Sequence, residues 1–533
     1  MSRERIAAFV VVTLSCTSVF AQVDPVDWSA VPIIKHSTYQ AVNDIGQSTY
    51  PSDGFPLRLR GVVLNNTEDW LDPTPAYDPE VHLWQMGGQA ELYVQAVDAN
   101  DFGGTAAWMG QNYGNHIAKQ DPSFSYTDAQ WTAELGRLNL YGGDGMSDPI
   151  RAGDLVEIRA RIGLNYGGKM NVNEAHSNDP ANDFEIVVLQ KNYGLPTPAA
   201  LPLNLIKDNS DVAIFDPART DGGEHYQATL VDLKNVKVVS GTWGSNQTVT
   251  VQDASGRTLG MYLGLNPGFD STQVPPSYFN VEGIVQQSSS TGQDGYSLLS
   301  LDPSGIIRHG DVDKDHKVSI QDFNGVLQNY TGFAGTDKAW AQGNFNEAEN
   351  GSVDTYDFNA TIANFTGNTP YGPSDSMGEA SLMAMSLDSG ERMLTSDGSG
   401  ASLSSGEMQL VVNILTGHMK FVGNAAQVNN WDIWSPSGSL LADTDGNAGP
   451  WSGYLINNSS EIAAYTGIDS FVTVDGDLLL DSAFNVGGTM DLQFLYSGID
   501  GNLITGEVVA VPEPATLALL AMGGLAVIRR RSA

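Results

Sequence analysis

LRLRGVVL (57–64) and AELYVQAVD (90–98) alternate apolar with polar residues. Such period-two spacing puts the apolar side chains on one face of an extended chain, as in a half-buried β-strand. The chain also holds 58 glycines, which favours turn-rich β structure over helical bundles. We therefore expect a mostly β protein. Six further segments up to residue 302 repeat the pattern: DLVEIRARI (154–162), FEIVVLQ (184–190), QATLVDLKNVKVV (227–239), QTVTVQDASG (247–256), YFNVEGIV (278–285) and YSLLSLD (296–302).

The eight segments fall into two series that share one order. In each series a strand with a polar end precedes a hairpin strand containing YVQAVDA (93–99) or VTVQDAS (249–255), and two more strands follow. That order resembles tandem OB-like β-barrels of the type found beside exported bacterial nucleases and in surface binding proteins. The resemblance implies OB-like domains at 22–194 and 209–305, joined by a proline-punctuated linker (195–208). An unrelated pair of β-sandwiches is the alternative.

The segment DVDKDHKVSIQD (311–322) carries the clearest chemical pattern. Calcium takes six to eight oxygen ligands at about 2.3–2.6 Å, and a twelve-residue loop can wrap them around one ion. Position 7, Lys317, would offer its backbone carbonyl, and position 9, Ser319, would reach the ion through a water. Carboxylates occupy positions 1, 3, 5 and 12: Asp311, Asp313, Asp315 and Asp322.

The segment DFNGVLQNYTG (322–332) recurs as DFNATIANFTG (357–367), and the first copy has helical apolar spacing. A calcium loop followed by one helix, without the entering helix of an EF-hand, resembles a dockerin repeat, and dockerins contain two. The resemblance implies a small α unit of the type I dockerin kind at 309–370, with Ca²⁺ as its cofactor. A solvated acidic turn that holds no ion is the alternative. The internal match sets the second group of ligands as Asn344, Asn346, Asn350, Ser352, Asp354 and Asp357.

Both loops depart from the dockerin pattern. The second one has fourteen residues from 344 to 357, two more than the first, and asparagine replaces aspartate at its first position, so we expect a weaker site. Position 6, normally glycine because the turn needs a positive φ, is His316 in the first loop, whereas Gly351 keeps that role in the second. The positions that carry cohesin recognition in the family hold Ile320-Gln321 and Thr355-Tyr356 instead of small hydroxyl residues. The partner of this unit is therefore either cohesin-like or intramolecular.

The N-terminal segment has the parts of a secretory signal peptide. Arg3 and Arg5 precede an apolar core, and residues 19–21 have the small-x-Ala pattern, which predicts cleavage between Ala21 and Gln22. Cys16, the one cysteine of the chain, lies inside this peptide. We therefore expect a mature protein without disulfides, thiolate metal sites or cysteine nucleophiles.

The C-terminal segment has three parts in a fixed order. Val511-Pro512-Glu513-Pro514 precedes the apolar run ATLALLAMGGLAVI, and Arg529, Arg530 and Arg531 close it. That order resembles the PEP-CTERM sorting signal, which implies an exosortase-type processing enzyme as partner. We expect export through the inner membrane, transient membrane insertion by 511–533, and a final place in the cell envelope, at the surface or outside the cell. A tail anchor or a buried C-terminal helix is the alternative.

The strong negative charge limits the classes of partner. Acidic residues number 62 and basic residues 26, a formal net charge of −36. Repulsion from phosphates opposes non-specific nucleic-acid binding, whereas divalent cations are favoured. Tyr93, Trp108 and Tyr262 could stack bases, but no basic stripe accompanies them.

The region after the calcium loops divides into a linker and a second β region. Residues 371–406 are Ser/Gly/Met-rich, which indicates a connector, and 407–509 return to strands and predict a β-sandwich. Trp431, Trp434 and Trp451 could form a sugar-stacking platform, although core packing is the interpretation we favour.

The sequence points to a binding function rather than catalysis. GLNYGGKM (163–170) approaches a phosphate-binding loop, but Met170 stands where magnesium needs Ser or Thr, so we expect a β-hairpin turn. No Gly-x-Ser-x-Gly or His-Glu-x-x-His motif occurs, and no residue is assigned as catalytic. We expect an exported binding or scaffold protein, with polysaccharide as one candidate ligand. The alternatives are a polysaccharide-degrading dockerin protein and a nuclease-associated OB-fold protein.

Overall fold

The structure is a computed structural model, and strands account for 36% of it against 15% helix, so the chain is mostly β with several sheets. The signal peptide with Ala21 and Gln22, residues 372–402 of the expected linker, and the tail after Val511 lie outside the described residues. The described residues are 25–78, 87–115, 119–271, 275–332, 337–346, 351–371, 403–443, 448–466, 470–498 and 503–511, without the side chains of 481–483.

The first sheet has seven strands in the order β5-β6-β3-β2-β1-β4-β7. Neighbours are antiparallel except β3 and β6, which are parallel. The elements are α1 (His36–Tyr39), β1 (Leu57–Val63), α2 (Thr67–Trp70), β2 (Gln89–Ala96), β3 (Gly104–Gly110), α3 (Asp128–Arg137), β4 (Leu155–Ala160), β5 (Gly163–Tyr166), β6 (Lys169–Asn173) and β7 (Glu185–Gln190). Helix α3 begins at a capping box between Thr127 and Gln130 and buries Trp131 and Leu135 in the core of this sheet.

The second sheet closes on itself. Strand β9 pairs with both β10 and β12, so the circuit β9-β10-β11-β13-β12 returns to β9, and β11 and β13 are its parallel pair. The elements are β8 (Ala199–Ala200), α4 (Gly222–Tyr226), β9 (Leu230–Gly241), β10 (Thr248–Gln252), β11 (Thr258–Leu263), β12 (Phe279–Gln287), β13 (Tyr296–Ser300) and β14 (Ile306–Arg308).

Part of the expected linker belongs to the second sheet. Strand β8 pairs in parallel with β9, and Leu201, Leu203 and Ile206 are buried in the core of that sheet. These apolar side chains, spaced between prolines, are stabilised by burial, whereas an extended linker would leave them exposed to water. The prediction of a linker over 195–208 is therefore wrong from residue 199 onward.

The two N-terminal sheets pack against each other through a shared apolar cluster. Tyr93 and Ala106 of the first sheet meet Ile284 and Leu299 of the second. Hydrogen bonds also connect the two domains. For example, the Gly104 amide donates to the Gln227 carbonyl (3.0 Å).

The third sheet contains eight strands in one hydrogen-bonded network. The first part of β16 pairs with β15 and β20, and its second part pairs with β19 and β21, with a register shift between Gly423 and Ala426. The long strand β16 thus joins both groups of strands into one sheet. The strands are β15 (Met408–Asn413), β16 (His418–Trp434), β17 (Leu440–Leu441), β18 (Gly453–Asn457), β19 (Glu461–Tyr465), β20 (Val472–Phe484), β21 (Gln493–Gly498) and β22 (Leu503–Val511).

Two short α-helices lie between the second and third sheets. They are α5 (Ile320–Asn329) and α6 (Thr355–Ala363), and we call residues 309–371 the loop–helix segment. Short 3₁₀ turns occupy Tyr113–Asn115, Pro122–Phe124, Pro180–Asn182, Leu203–Leu205, Pro303–Gly305 and Trp340–Gln342.

Candidate metal centre

The first acidic loop folds tightly around the carboxylate of Asp311. This side chain is fully buried; its Oδ1 accepts from the Asp315 amide (3.2 Å), and its Oδ2 from the His316 amide (3.0 Å). His316 has φ +64° and Lys314 φ +61°, so the backbone takes the left-handed turn that position 6 was expected to need. The loop therefore curls back over its own first residue.

Three of the four predicted carboxylates come together. Oxygens of Asp311, Asp313 and Asp322 lie within 4.8 Å of one another. The Asp315 carboxylate is not in this group: it accepts from the Lys317 amide (2.9 Å) and lies 3.8 Å from Lys317 Nζ. The loop thus offers a cluster of hard oxygen donors, the ligand type that calcium prefers.

The cluster is electrostatically unfavourable without a neutralising charge. Burial, with the nearby carboxylates of Asp322, Asp315 and Asp313, raises the pKa of Asp311 to about 7. Burial likewise raises the pKa of Asp322 to about 6, and that of Asp313 is also raised. Such shifts arise where carboxylates leave water and face like charges.

The second loop repeats the hydrogen bonds of the first. Asp322 Oδ1 accepts from the Val312 amide (2.7 Å) and Oδ2 from the Ser319 amide (2.8 Å). Asp357 Oδ1 accepts from the Phe345 amide (2.8 Å) and Oδ2 from the Asp354 amide (2.9 Å). The two aspartates therefore occupy equivalent places, as the sequence repeat predicts.

The second loop has fewer carboxylates than the first among its described residues. Asp354 and Asp357 are the carboxylate residues of this loop that the structure describes, and burial raises the pKa of Asp357 to about 6. Asn344 Nδ2 donates to the Lys338 carbonyl (2.8 Å), and Ser352 Oγ lies 3.5 Å from Asp354 Oδ2. Asn346 is described and half-buried, whereas Asn350 lies outside the described residues. Gly351 has φ +63°, matching His316.

Three residues that hold the first loop were not anticipated from the sequence. The Tyr371 hydroxyl donates to Asp311 Oδ2 (2.5 Å), and Trp340 Nε1 donates to the Asp311 carbonyl (2.7 Å). Thr366 Oγ1 accepts from the Val318 amide (3.0 Å). Tyr371 follows the expected end of the unit at residue 370, and no local pattern ties it to residue 311.

The residues at the expected cohesin-recognition positions are partly engaged within the chain. Ile320 is buried, and the Tyr356 hydroxyl donates to Asn235 Oδ1 of the second sheet (3.0 Å). Gln321 and Thr355 are exposed. Half of this surface is therefore covered by the chain itself.

A second acidic group lies in the first domain, and neighbouring side chains hydrogen-bond to it and pair with its charge. Glu174 Oε2 accepts from the hydroxyls of Tyr113 (2.9 Å) and Tyr126 (3.1 Å), and Arg137 lies 3.6 Å from its Oε1. Burial, with the Asp183 charge, raises the pKa of Glu174 to about 8. These contacts hold Glu174 within the core of the first domain.

The aromatic residues weighed as ligand platforms are mostly core. Trp431 and Trp451 are buried, with ring centroids 5.6 Å apart, so core packing is confirmed for them. Tyr93 is buried, and Tyr262 packs on the cluster between the first two sheets. Trp108 is half-buried. GLNYGGKM forms the hairpin β5–β6, as predicted.

Comparison with known proteins finds a match at the C-terminal segment. No curated protein matches the chain. Among the described residues, none of the helices has the length and apolar character to cross a membrane. Val511 ends β22, and the rest of the predicted sorting motif, Pro512 to Pro514, follows outside the described residues. Residues 510–532 match the PEP-CTERM protein-sorting motif, which indicates processing by an exosortase and a place in the envelope or at the surface.

Proposed function

We propose that this chain is an exported envelope protein of the binding or scaffold class, in which calcium in the loop–helix segment holds the second and third sheets together. The observation that carries the proposal is that one segment presents a carboxylate cluster, with Asp311 and Asp322 buried and Asp313 exposed, and contacts both neighbouring sheets. The match to the sorting motif supports the location.

The donor set fits calcium. Asp311, Asp313 and Asp322 supply carboxylate oxygens within 4.8 Å of one another, and a divalent cation would offset the burial and the mutual repulsion that raise their pKa values. Asp315, the Lys317 carbonyl and Ser319 would complete the first site. The second site would use Asn344, Asn346, Asn350, Ser352, Asp354 and Asp357 with lower affinity, because it has fewer negative ligands.

Contacts with the second sheet support an intramolecular role for the segment. The Ser277 amide donates to Asn364 Oδ1 (2.8 Å), and Asn364 Nδ2 donates to the Tyr278 carbonyl (3.2 Å). The His309 amide also donates to that carbonyl (3.0 Å). Together with the Tyr356 contact, these bonds fix the end of α6 and the start of the segment to one sheet.

Both helices of the segment contact the third sheet. The rings of Phe323 and Phe358 lie 5.6 Å and 6.2 Å from that of Tyr465 in β19. Asn430 Nδ2 of β16 donates to Asn324 Oδ1 of α5 (2.9 Å), a bond buried from solvent. The first loop leads into α5, which contacts the third sheet, and α6 contacts both sheets through Tyr356 and Phe358.

We also propose that the first two domains are OB-like, on the basis of their strand pairings. An OB-fold is a five-stranded, partly open Greek-key barrel. The five-strand circuit of β9 to β13, and the related pairings of β1 with β2 and β4, agree with that description. The two-loop unit would then be a dockerin-like pair whose partner is the chain itself.

Calorimetric titration of the full chain with Ca²⁺ tests the proposal. We expect binding that the double variant Asp311→Asn/Asp322→Asn abolishes at the stronger site. At free calcium about 100 times Kd, the folded state should gain about 2.7 kcal/mol by mass action. The matched control, Asp53→Asn, removes an exposed aspartate elsewhere and should change neither result. An unmutated chain that takes up no calcium would contradict the proposal.

A further inference from the structure

A cleft of about 330 Å³ lies between the first two sheets, away from the loop–helix segment. One wall consists of β2, β3 and the β5–β6 hairpin, and the other is the end of β12 with Gln286, Gln287 and Ser288. The volume falls at the low end of the range of about 300–1,000 Å³ that small-molecule sites occupy. It therefore suits one or two rings of a ligand rather than a protein surface.

The two walls are fixed by a backbone contact. Gly167 and Gly168 form the tip of the hairpin with φ +65° and +91°, and the Ser289 amide donates to the Gly167 carbonyl (2.9 Å). A Cβ on Gly168 would lie 2.6 Å from the Gln287 side chain. Glycine at this place lets the hairpin rest directly on the second domain, so the cleft is preformed.

The charges on the cleft wall balance each other. Lys169 Nζ lies 3.9 Å from Glu91 Oε1, and both residues are about nine-tenths buried. Trp70 Nε1 donates to Glu91 Oε2 (2.8 Å). A phosphate or carboxylate ligand would need an excess of positive charge, which this pair does not provide.

The remaining lining combines aromatic rings with amide side chains. Trp108 and His176 meet edge to face at 5.6 Å, and Tyr166 at the hairpin tip is 65% exposed. Asn171 and Asn173 line the cleft beside them, and Asn171 Oδ1 is buried without a hydrogen-bond partner among the described residues. Aromatic faces pack on C–H surfaces, whereas amides both donate and accept hydrogen bonds, as hydroxyl groups require.

The rim of the cleft carries backbone strain. Ala175 and His176 are consecutive residues that are not glycine, and both have φ +54°. Left-handed residues of this kind cost about 1–3 kcal/mol at sparsely populated φ/ψ values and cluster at ligand sites. Here they set the ring of His176 against those of Trp108 and Tyr113.

We propose that this cleft binds a neutral saccharide unit, with the sugar face against Trp108 and Tyr166 and its hydroxyl groups on the amide side chains. The proposal rests on the proposed function, because it names the ligand class of an exported binding protein. Nothing in it requires the calcium loops.

Calorimetric titration of the full chain with neutral trisaccharides of glucose, galactose, mannose, xylose and N-acetylglucosamine tests the proposal. We expect at least one to bind with Kd below about 1 mM. Tyr166→Ala should weaken that binding about tenfold, as truncation of an aromatic contact does. Trp108→Ala should weaken it as well, and Trp108→Phe should retain most of it. The matched control is Tyr193→Ala, which removes a tyrosine 50% exposed outside the cleft.

Four results would overturn the inference. The first is no binding by any of these trisaccharides at about 10 mM, a concentration that detects even Kd values weaker than 1 mM. The second is equal binding by Tyr166→Ala and the unmutated chain. The third and fourth are binding of trigalacturonate, or of a thymidine pentanucleotide, that is tighter than that of the neutral trisaccharides. Calcium titration and cell fractionation on the same chain report on the proposed function separately, since neither involves the cleft.

Discussion

Asp311 and Glu174 are both buried carboxylates with raised pKa values, but their surroundings differ in kind. Asp311 faces other carboxylates of its loop and has one neutral donor side chain, Tyr371. Glu174 also faces carboxylates, those of Glu134 and Asp183, but two tyrosine hydroxyls and the Arg137 guanidinium lie beside it. A cation would relieve the first arrangement, whereas Arg137 already places a positive charge in the second.

Replacing Tyr371 by phenylalanine removes the hydroxyl that orients Asp311. We expect calcium affinity to fall about tenfold, because partners that hold a metal ligand in place contribute on that scale. Calcium titration measures the change, and Tyr330→Phe on the same segment is the control. Unchanged affinity in Tyr371→Phe would show that Asp311 is held by the loop backbone alone.

Glu174 makes the stability of the first domain depend on pH. Its folded-state pKa of about 8 lies above the ordinary value of 4.5, so the folded chain binds more protons between these pH values. Stability should therefore fall as pH rises through that window. Glu174→Gln should reduce the loss of Tm between about pH 5 and about pH 8, and Asp53→Asn should not. A loss of Tm over this pH range in Glu174→Gln equal to that of the unmutated chain would contradict this prediction.

At the scale of elements, α5 and α6 begin in the same way. Ser319 caps α5 and Asp354 caps α6, and in both helices the aspartate at the third position completes a capping box. The conserved hydrogen-bond pattern explains why an internal sequence match could fix the register of the second loop. The helices then present Phe323 and Phe358 to the same ring, Tyr465.

Truncating Phe323 should loosen the contact between α5 and the third sheet. The side chain is fully buried, so Phe323→Ala should lower the free energy of unfolding by about 3–5 kcal/mol. Phe323→Leu should cost less, because it keeps most of the volume. Chemical denaturation measures both, and an alanine variant as stable as the leucine variant would argue against tight packing here.

Alternation in the sequence located many of the strands, and it missed strands whose apolar residues do not alternate. Strands β1, β2, β4 and β7 fall within about two residues of the predicted segments. Strand β3 (Gly104–Gly110) was not predicted, because it is buried on both faces and its residues do not alternate. Helix α3 was missed as well, since its apolar residues are few.

At the scale of the whole molecule, the contacts that matter join residues far apart in sequence. The sequence repeat predicted equivalent places for Asp322 and Asp357, but not that Asn364 would meet Tyr278 or that Asn324 would meet Asn430. Such pairs depend on how the sheets pack, which local spacing does not encode. The same limit applies to the cleft, whose two walls come from separate domains.

Limited proteolysis of the full chain, with cut sites mapped by mass spectrometry, tests most directly the claim that calcium holds the second and third sheets together. With calcium, we expect residues 311–363 to resist cleavage. In chelator, and in Asp311→Asn/Asp322→Asn under both conditions, we expect cuts within 311–363 that separate an N-terminal from a C-terminal fragment. Equal protection of the unmutated chain in calcium and in chelator would contradict the account.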